Sequence, residues 1–249
     1  MKPLTTSAMS LLLSLCALVG CSQHLTNLDS NYQDAVVQAA FPSNQDVSHN
    51  LFALNQQNES LQWNEQGDKV LVVTWKNQQA IDQFILPNTH SSENPDYPIW
   101  VSLAPQLRQF CQYYVKQHPG LEQEQLALRL KQYLGLDPNW HYDAIVSLYV
   151  KPDDLFRPCV DPETNDSSCQ LEASNITGSV KGIDNYANYY QQLYFKSFRA
   201  TAGVPWTGLG YTFDWGNPAS RQGASEYILV PGAEYQVHAV TSTKQYCHE

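Results

Sequence analysis

Charge is scarce in this chain, and positive charge is scarcest. Only 15% of its 249 residues are Asp, Glu, Lys or Arg, against about 25% in an average globular protein. Lys and Arg number 14 against 24 acidic residues, a formal net charge of −10. No nucleic-acid partner is expected, because a field of this sign repels phosphate. A disordered polymer is excluded too, since 43% of the residues are hydrophobic and 12% aromatic, enough for a sizeable core. Surface polarity comes largely from 24 Gln and 16 Asn. Internal repeats and low-complexity tracts are absent. So are the common hydrolase signatures: no G-x-S-x-G, no H-E-x-x-H, and no Ser-x-x-Lys with its partner motifs. The seven His (His24, His49, His90, His118, His141, His238, His248) fall at no ligand spacing. No C-x₂-C pair exists to begin a zinc site.

Long apolar runs are equally rare. The one that concerns a membrane, Ala8 to Val19, is too short to span a bilayer. Lys2 precedes it and Leu18-Val19-Gly20-Cys21 ends it. A positive start, an apolar stretch and small residues before a cysteine form an export signal. The tetrapeptide resembles the bacterial lipobox. That resemblance implies removal of residues 1–20, lipidation of Cys21 and a membrane-tethered body. In Gram-negative lipoproteins an Asp after the cysteine resembles an inner-membrane retention signal. Here Ser22 follows, which implies the outer membrane, with the body facing the periplasm. Residues 21–30 are small and polar, as a tether would be. Residues 31–249 suit one domain.

Cys16 leaves with the signal and Cys21 takes the lipid. Cys111, Cys159, Cys169 and Cys247 remain. An even number in an exported chain implies two disulfides, with three pairings open. The polar, Pro-containing segment between Cys159 and Cys169 favours that short staple. Cys111–Cys247 follows, tying the C-terminal end onto a helix.

The pattern along the chain predicts an α+β fold, with a mixed or antiparallel sheet and about three helices. Asn31 to Ala40 has the spacing of a short helix. Ser60 to Asn64 and Lys69 to Trp75 flank a turn and read as a hairpin, the second strand apolar on both faces and therefore central. Ile99 to Leu103 reads as a strand. Pro105 opens a helix with Leu107, Phe110, Cys111, Tyr114 and Val115 on one face. Pro119-Gly120 stops it. A second helix carries Leu126, Leu130, Tyr133 and Leu134 and ends near Gly135. Tyr142 to Val150 alternates as a strand, and Lys151 to Asn175 reads as loop. Asp184 or Asn185 caps a third helix. Glu226 to Val230 and Glu234 to Thr241, joined at Pro231-Gly232, read as a closing hairpin.

Four features could carry chemistry. In the acidic loop, Asp161, Glu163, Asn165, Ser167 and Glu172 occupy positions 1, 3, 5, 7 and 12 of a calcium-loop count. Asp166 stands where such a loop needs Gly, and the plainer expectation is a solvated loop with Arg157 paired to Asp153 or Asp154. In the segment 204–218, Trp206, Tyr211, Asp214 and Trp215 combine flat rings with a carboxylate, as sugar or peptide stacking requires. The plainer expectation is rings filling a core. Tyr186, Tyr189, Tyr190 and Tyr194 form a stripe on the third helix, either a partner surface or a half-buried face. Finally, Glu226 enters a strand that runs into Pro231-Gly232 and a second strand. Residues 225–237 resemble the C-terminal hairpin of ADP-ribosyltransferases, in which that Glu stabilises the oxocarbenium-like centre of NAD. Ala224 replaces the family's second Glu, and no Ser-Thr-Ser strand precedes it. His141, beside Trp140 and Asp143 at a strand mouth, is the one His in a suggestive setting.

A broader likeness spans the C-terminal half. Asp153-Asp-Leu-Phe-Arg157-Pro-Cys159 together with Pro205-Trp206-Thr-Gly-Leu-Gly-Tyr211-Thr-Phe-Asp214-Trp215-Gly resembles a group of uncharacterised exported bacterial proteins, which implies no activity. The expectation from sequence is a non-catalytic envelope binding or assembly component with a protein or glycan partner. No cofactor is expected beyond Ca²⁺ at Asp161, Glu163, Asn165 and Glu172. The competing expectation is an enzyme on envelope glycan or a nucleotide-like ligand, using Asp214, Glu226 or His141.

Overall fold

The computed structural model describes residues 27–172, 176, 178–199 and 203–248. The signal, the lipobox and residues 21–26 of the tether lie outside the described residues. Residues 27–30, which read as tether, begin the first helix, α1, over 27–39. Ala35, Val36 and Ala39 are buried on its inner face.

An antiparallel sheet forms the centre. Its strands are β1 (Val70–Lys76), β2 (Trp100–Leu103), β3 (Ala144–Val150), β4 (Leu155–Phe156), β5 (Tyr211–Phe213), β6 (Gln222–Leu229) and β7 (Tyr235–Ser242). They run in the order β4-β6-β2-β1-β3-β7, with β5 on β6 as well. The central place of β1 follows from its sequence. Val70 and Val72 bury on one face with Val101, Val146 and Leu148. Leu71, Val73 and Trp75 bury on the other with Leu107, Leu130 and Ile145. A strand apolar on both sides can only be satisfied between two layers.

The second face is covered by α3 (Ala104–Gln117), α4 (Gln123–Tyr133) and the short α6 (Thr243–His248). Cys111 and Cys247, 5.2 Å apart at Cα, fasten α6 to α3. Cys159 and Cys169, 6.4 Å apart at Cα, staple the acidic loop. Both pairs are those favoured from the sequence. Over the β4 end lies α5 (Tyr186–Phe198), capped by the Asn185 side chain, which accepts from Asn188 N–H. The remaining helix, α2 (Gln78–Ala80), continues into a π-turn over Ile81–Ile85. The described residues thus hold six helices rather than about three. α2 and α6 are each under two turns, too short for a 3.6-residue period to show. No helix among the described residues is long and apolar enough to cross a membrane.

The closing hairpin does not form. β6 pairs with β2, β4 and β5, while β7 pairs with β3. The segment 89–92 takes the bonds that a hairpin would make. Ser91 N–H donates to Ala233 O at 2.9 Å, Gly232 N–H to Ser92 O at 3.2 Å, and Tyr235 N–H to Thr89 O at 2.9 Å. Ser91 Oγ also donates to Val230 O and accepts from Ala233 N–H. The chain nevertheless passes from β6 to β7 through a tight turn, closed by Ala233 N–H on Val230 O. Such a turn falls short of the roughly 19 Å that four strand spacings cover in a flat sheet. The sheet is therefore curled, and the likeness to an ADP-ribosyltransferase hairpin loses its geometric basis. The earlier hairpin also shrinks, to a single bridge between Trp63 and Val70.

Candidate functional site

The aromatic segment is wall, not surface. Thr207 Oγ1 donates to Tyr211 O and accepts from Leu209 N–H, folding residues 206–211 back on themselves. Trp206, Leu209, Tyr211 and Phe213 are all buried. Trp215 is half-buried, gives its indole N–H to Leu136 O at 3.2 Å, and meets Tyr32 edge-on at 5.6 Å. The stacking surface expected from Trp206, Tyr211 and Trp215 therefore does not exist.

Asp214 is 2% exposed and committed elsewhere. Arg129, on α4, grips it at two points, Nη1 to Oδ1 at 2.9 Å and Nη2 to Oδ2 at 2.6 Å. Gly216 N–H adds a third bond to Oδ1. The guanidinium lies 4.8 Å over the Phe110 ring. A planar fork on a carboxylate, backed by an aromatic face, is a fixed clasp between α4 and the β5 segment. It leaves Asp214 no free oxygen edge for binding or catalysis.

The Tyr stripe turns inward as well. Tyr186 is buried and donates to Cys159 O at 2.5 Å. Tyr189 and Tyr190 are half-buried against Phe156 and Trp206. Only Tyr194 of the four is exposed, and its hydroxyl holds Ala40 O. His141 stands in solvent, its ring 80% exposed, with Nε2 2.9 Å from Asp143 Oδ1. The Asp143 carboxyl is held below its ordinary range, first by Gln78 N–H and then by His141. No hydrogen bond or ion pair joins His141 to Asp214 or Glu226 among the described residues.

Glu226 is the second carboxyl expected to do chemistry, and it lies in the interior. It sits on β6 opposite Ser102 of β2. Its Oε1 has no hydrogen-bond partner, nor does the indole N–H of Trp206. Burial pushes its pKa up to about 8. Asp214, Glu226 and His141 are thus placed in three different settings: clasped, buried and exposed.

The acidic loop is where concavity and charge meet. Arg157 is fully buried and threads beneath Gly210, whose φ of +75° admits no ordinary side chain. A Cβ there would come within 2.4 Å of Arg157 Cδ. The guanidinium donates to Asp166 Oδ1 at 2.7 Å, to Ser168 O at 2.8 Å and to Asp166 O at 2.9 Å. Its partner is therefore Asp166, not Asp153 or Asp154. Asp154 instead pairs with Lys181 at 2.8 Å. Asp161 faces inward and takes Gln170 N–H at 3.0 Å. Burial raises its pKa, with the charges of Glu163 and Asp166 adding to the effect.

This arrangement does not gather the calcium set. Asp166 is spent on Arg157, and the carboxylates of Asp161, Glu163 and Glu172 do not converge. The potential ligand cluster that does form joins Asp161 to Cys159 and Cys169, whose sulfurs are bonded to each other. A thiol needed for metal binding must be a free thiolate.

The same loop walls a groove of about 360 Å³ along β4. Its lining includes Asp153, Leu155, Phe156, Glu163, Asn165, Ser179 and Lys181. Lys181 is already bound to Asp154, and that contact raises its pKa. Asp153 and Glu163 are exposed, and no hydrogen bond or ion pair among the described residues satisfies either carboxylate. Reading the sequence missed Arg129, Lys181 and the rest of the lining segment 178–181. Arg157 alone had a signal: a single cation inside the run Leu155 to Val160 is enclosed once that run is buried. No family model matches the chain, and neither a curated protein nor a solved structure matches it.

Proposed function

We propose that the protein is a non-catalytic envelope lipoprotein, lipidated at Cys21 in the outer membrane and facing the periplasm. Its contact site is the acidic groove, and its ligand carries a basic group: an amine or guanidinium of an envelope protein, or an amino sugar. The groove carries this reading. Its volume lies at the small end of ligand sites, and two unsatisfied carboxylates, Asp153 and Glu163, line it. The aromatic segment no longer supports binding, because its rings are consumed by the core. Neither Asp214 nor Glu226 lines the groove, which favours a binder over an enzyme.

Globomycin, which blocks lipoprotein signal processing, is expected to make an uncleaved precursor accumulate. Unchanged processing removes the anchor from this proposal. The groove is tested by cross-linking full-length protein in cells and comparing it with Asp153→Asn/Glu163→Gln. Exposed charge pairs contribute about 0.2–1 kcal/mol each, so the double variant should recover its partner about tenfold less well. Added salt should weaken the wild-type interaction in the same direction. An undiminished partner in the double variant places the contact elsewhere.

A further inference from the structure

The foot of α1 and the end of α5 lie side by side. The Tyr194 hydroxyl donates to Ala40 O at 3.2 Å, and Phe198 packs with Ala35 and Ala39. Each helix spends its inner face on the core: Tyr32, Ala35, Val36 and Ala39 on α1, Tyr186, Leu193 and Ser197 on α5. At 3.6 residues per turn, Val37 and Phe41 at the end of α1 and Phe195 on α5 then fall on the outer side. Phe41 is 78% exposed, the highest value of any large apolar side chain among the described residues. Val37 and Phe195 are each more than half exposed, and Tyr194 is exposed at the junction. A lone exposed apolar residue needs no explanation, but a cluster across two helices does.

The seam also lacks negative charge, in a chain with 24 acidic residues. Residues 35–45 carry no charge, and residues 186–199 carry only Lys196 and Arg199. Lys196 is paired with Asp96 at 2.6 Å. Arg199 is exposed and has no ion pair among the described residues. The first half of α1 differs, with Asp29 and Asp34 both exposed.

We propose that this seam is where the body rests on its own membrane. Val37, Phe41 and Phe195 sink among the headgroups of an anionic phospholipid surface, and Arg199 meets lipid phosphate. The proposal rests on the lipidation of Cys21. Two features select a membrane as the occupant. The first is reach. Residues 21–26 extend to about 20 Å at most, so the surface that meets the lipid lies within that distance of Asn27. Val37 is about 15 Å from Asn27 along the helix, and Phe41 about 20 Å. The second is chemistry. Aromatic and aliphatic side chains beside an unpaired Arg, with no carboxylate among them, suit an interfacial site. A body of net charge −10 is repelled by an anionic leaflet over most of its surface. A face of the opposite local sign therefore sets its orientation. Asp29 and Asp34 keep the start of α1 off the surface, so the foot of the helix makes the contact.

The test places benzoylphenylalanine, a photo-crosslinking amino acid, at Phe41, Phe195 or Phe84 of the full-length lipoprotein. The protein sits in vesicles of phosphatidylethanolamine and phosphatidylglycerol. Phe84 is exposed like the other two but belongs to the π-turn. Light should add the mass of a phospholipid at Phe41 and Phe195 and not at Phe84. With the probe at Phe195, Val37→Asp/Phe41→Asp should cut the adduct about tenfold or more, because it withdraws the neighbouring apolar side chains from the lipid. Arg199→Gln should lower the adduct only when phosphatidylglycerol is present. The mass of the N-terminal peptide reports acylation of Cys21 in the same sample. Acylated Cys21 without a lipid adduct at Phe41 and Phe195 overturns the docking and leaves the anchor standing. Cys21 without acyl chains overturns both. Equal adduct at Phe84 marks random contact and overturns the docking. With the same probes in cells, a protein adduct at Phe41 in place of lipid overturns it in favour of a partner protein.

Discussion

Asp214→Ala is expected to destabilise the protein by about 3–5 kcal/mol, the cost of removing one partner from a buried ion pair. The carboxylate is 2% exposed and the Arg129 side chain 12%. Neither has water to turn to when the other is removed. With Asp214 gone, the guanidinium keeps its charge, since Arg does not deprotonate in proteins. It is left over the Phe110 ring with no anion, while Gly216 N–H loses its acceptor. The segment 211–216 would lose its clasp on α4, and with it the burial of Phe213 against Ala35 and Ala39. Arg129→Ala should cost a similar amount, because it strands the carboxylate. The two losses should not add: the Asp214→Ala/Arg129→Ala double variant should lose well less stability than their sum, since the pair fails as a unit. Urea unfolding of the three variants measures this. A cost below about 1 kcal/mol for each single change is the range of exposed pairs, and would mean that water reaches the clasp. A carboxylate kept for catalysis usually lowers stability, so its removal costs little or helps. The sign and size of the Asp214→Ala effect therefore also decide between the structural role and the enzymatic one.

What the sequence revealed and what it hid divide along a physical line. β1, β3, α3, α4 and α5 were legible because each carries a full period of apolar residues. The two disulfides were legible because few cysteines remained once the expected signal was set aside. The partner of β6 was not legible. Pro231-Gly232 guarantees a turn, but whether the flanking strands pair depends on what lies between them. The competitor is 89–92, some 140 residues away in sequence, and no local pattern announces it. The outcome moves β7 to the end of the strand order, beside β3.

The candidate sites failed or survived for similar reasons. Glycine-spaced aromatics read the same whether they face solvent or core, and only packing against Tyr32, Tyr190 and Leu136 decides. The acidic loop has calcium-like spacing, but spacing sets the order of ligands and not their direction. Arg157 reaches up into the loop and takes Asp166, which turns the loop around a cation supplied by the protein itself. The carboxylates left outside that arrangement, Asp153 and Glu163, are those that face the groove.

Glu226→Gln is expected to change how stability depends on pH. The native carboxyl has its pKa pushed up to about 8, against an ordinary value of 4.5, chiefly because burial disfavours the charged form. The folded state therefore holds this proton more tightly than the unfolded chain does. The stability that comes from the held proton is fully present below about pH 4.5 and is lost as the pH rises through 8. Across that window the group should withdraw up to about 5 kcal/mol of stability, at 1.36 kcal/mol per pH unit of displacement. Gln keeps the shape of the protonated acid and cannot ionise. The variant should therefore match the wild type near pH 5 and exceed it by several kcal/mol at pH 8. Urea unfolding at pH 5, 6.5 and 8 reads the difference between the two curves, in which the other titrating groups cancel. Parallel curves would show that water or a partner reaches Oε1 and that the carboxyl ionises freely. Diverging curves would show that the protein carries a neutral acid between β6 and β2, beside the unpartnered Trp206 indole, at the expense of its own stability in alkali.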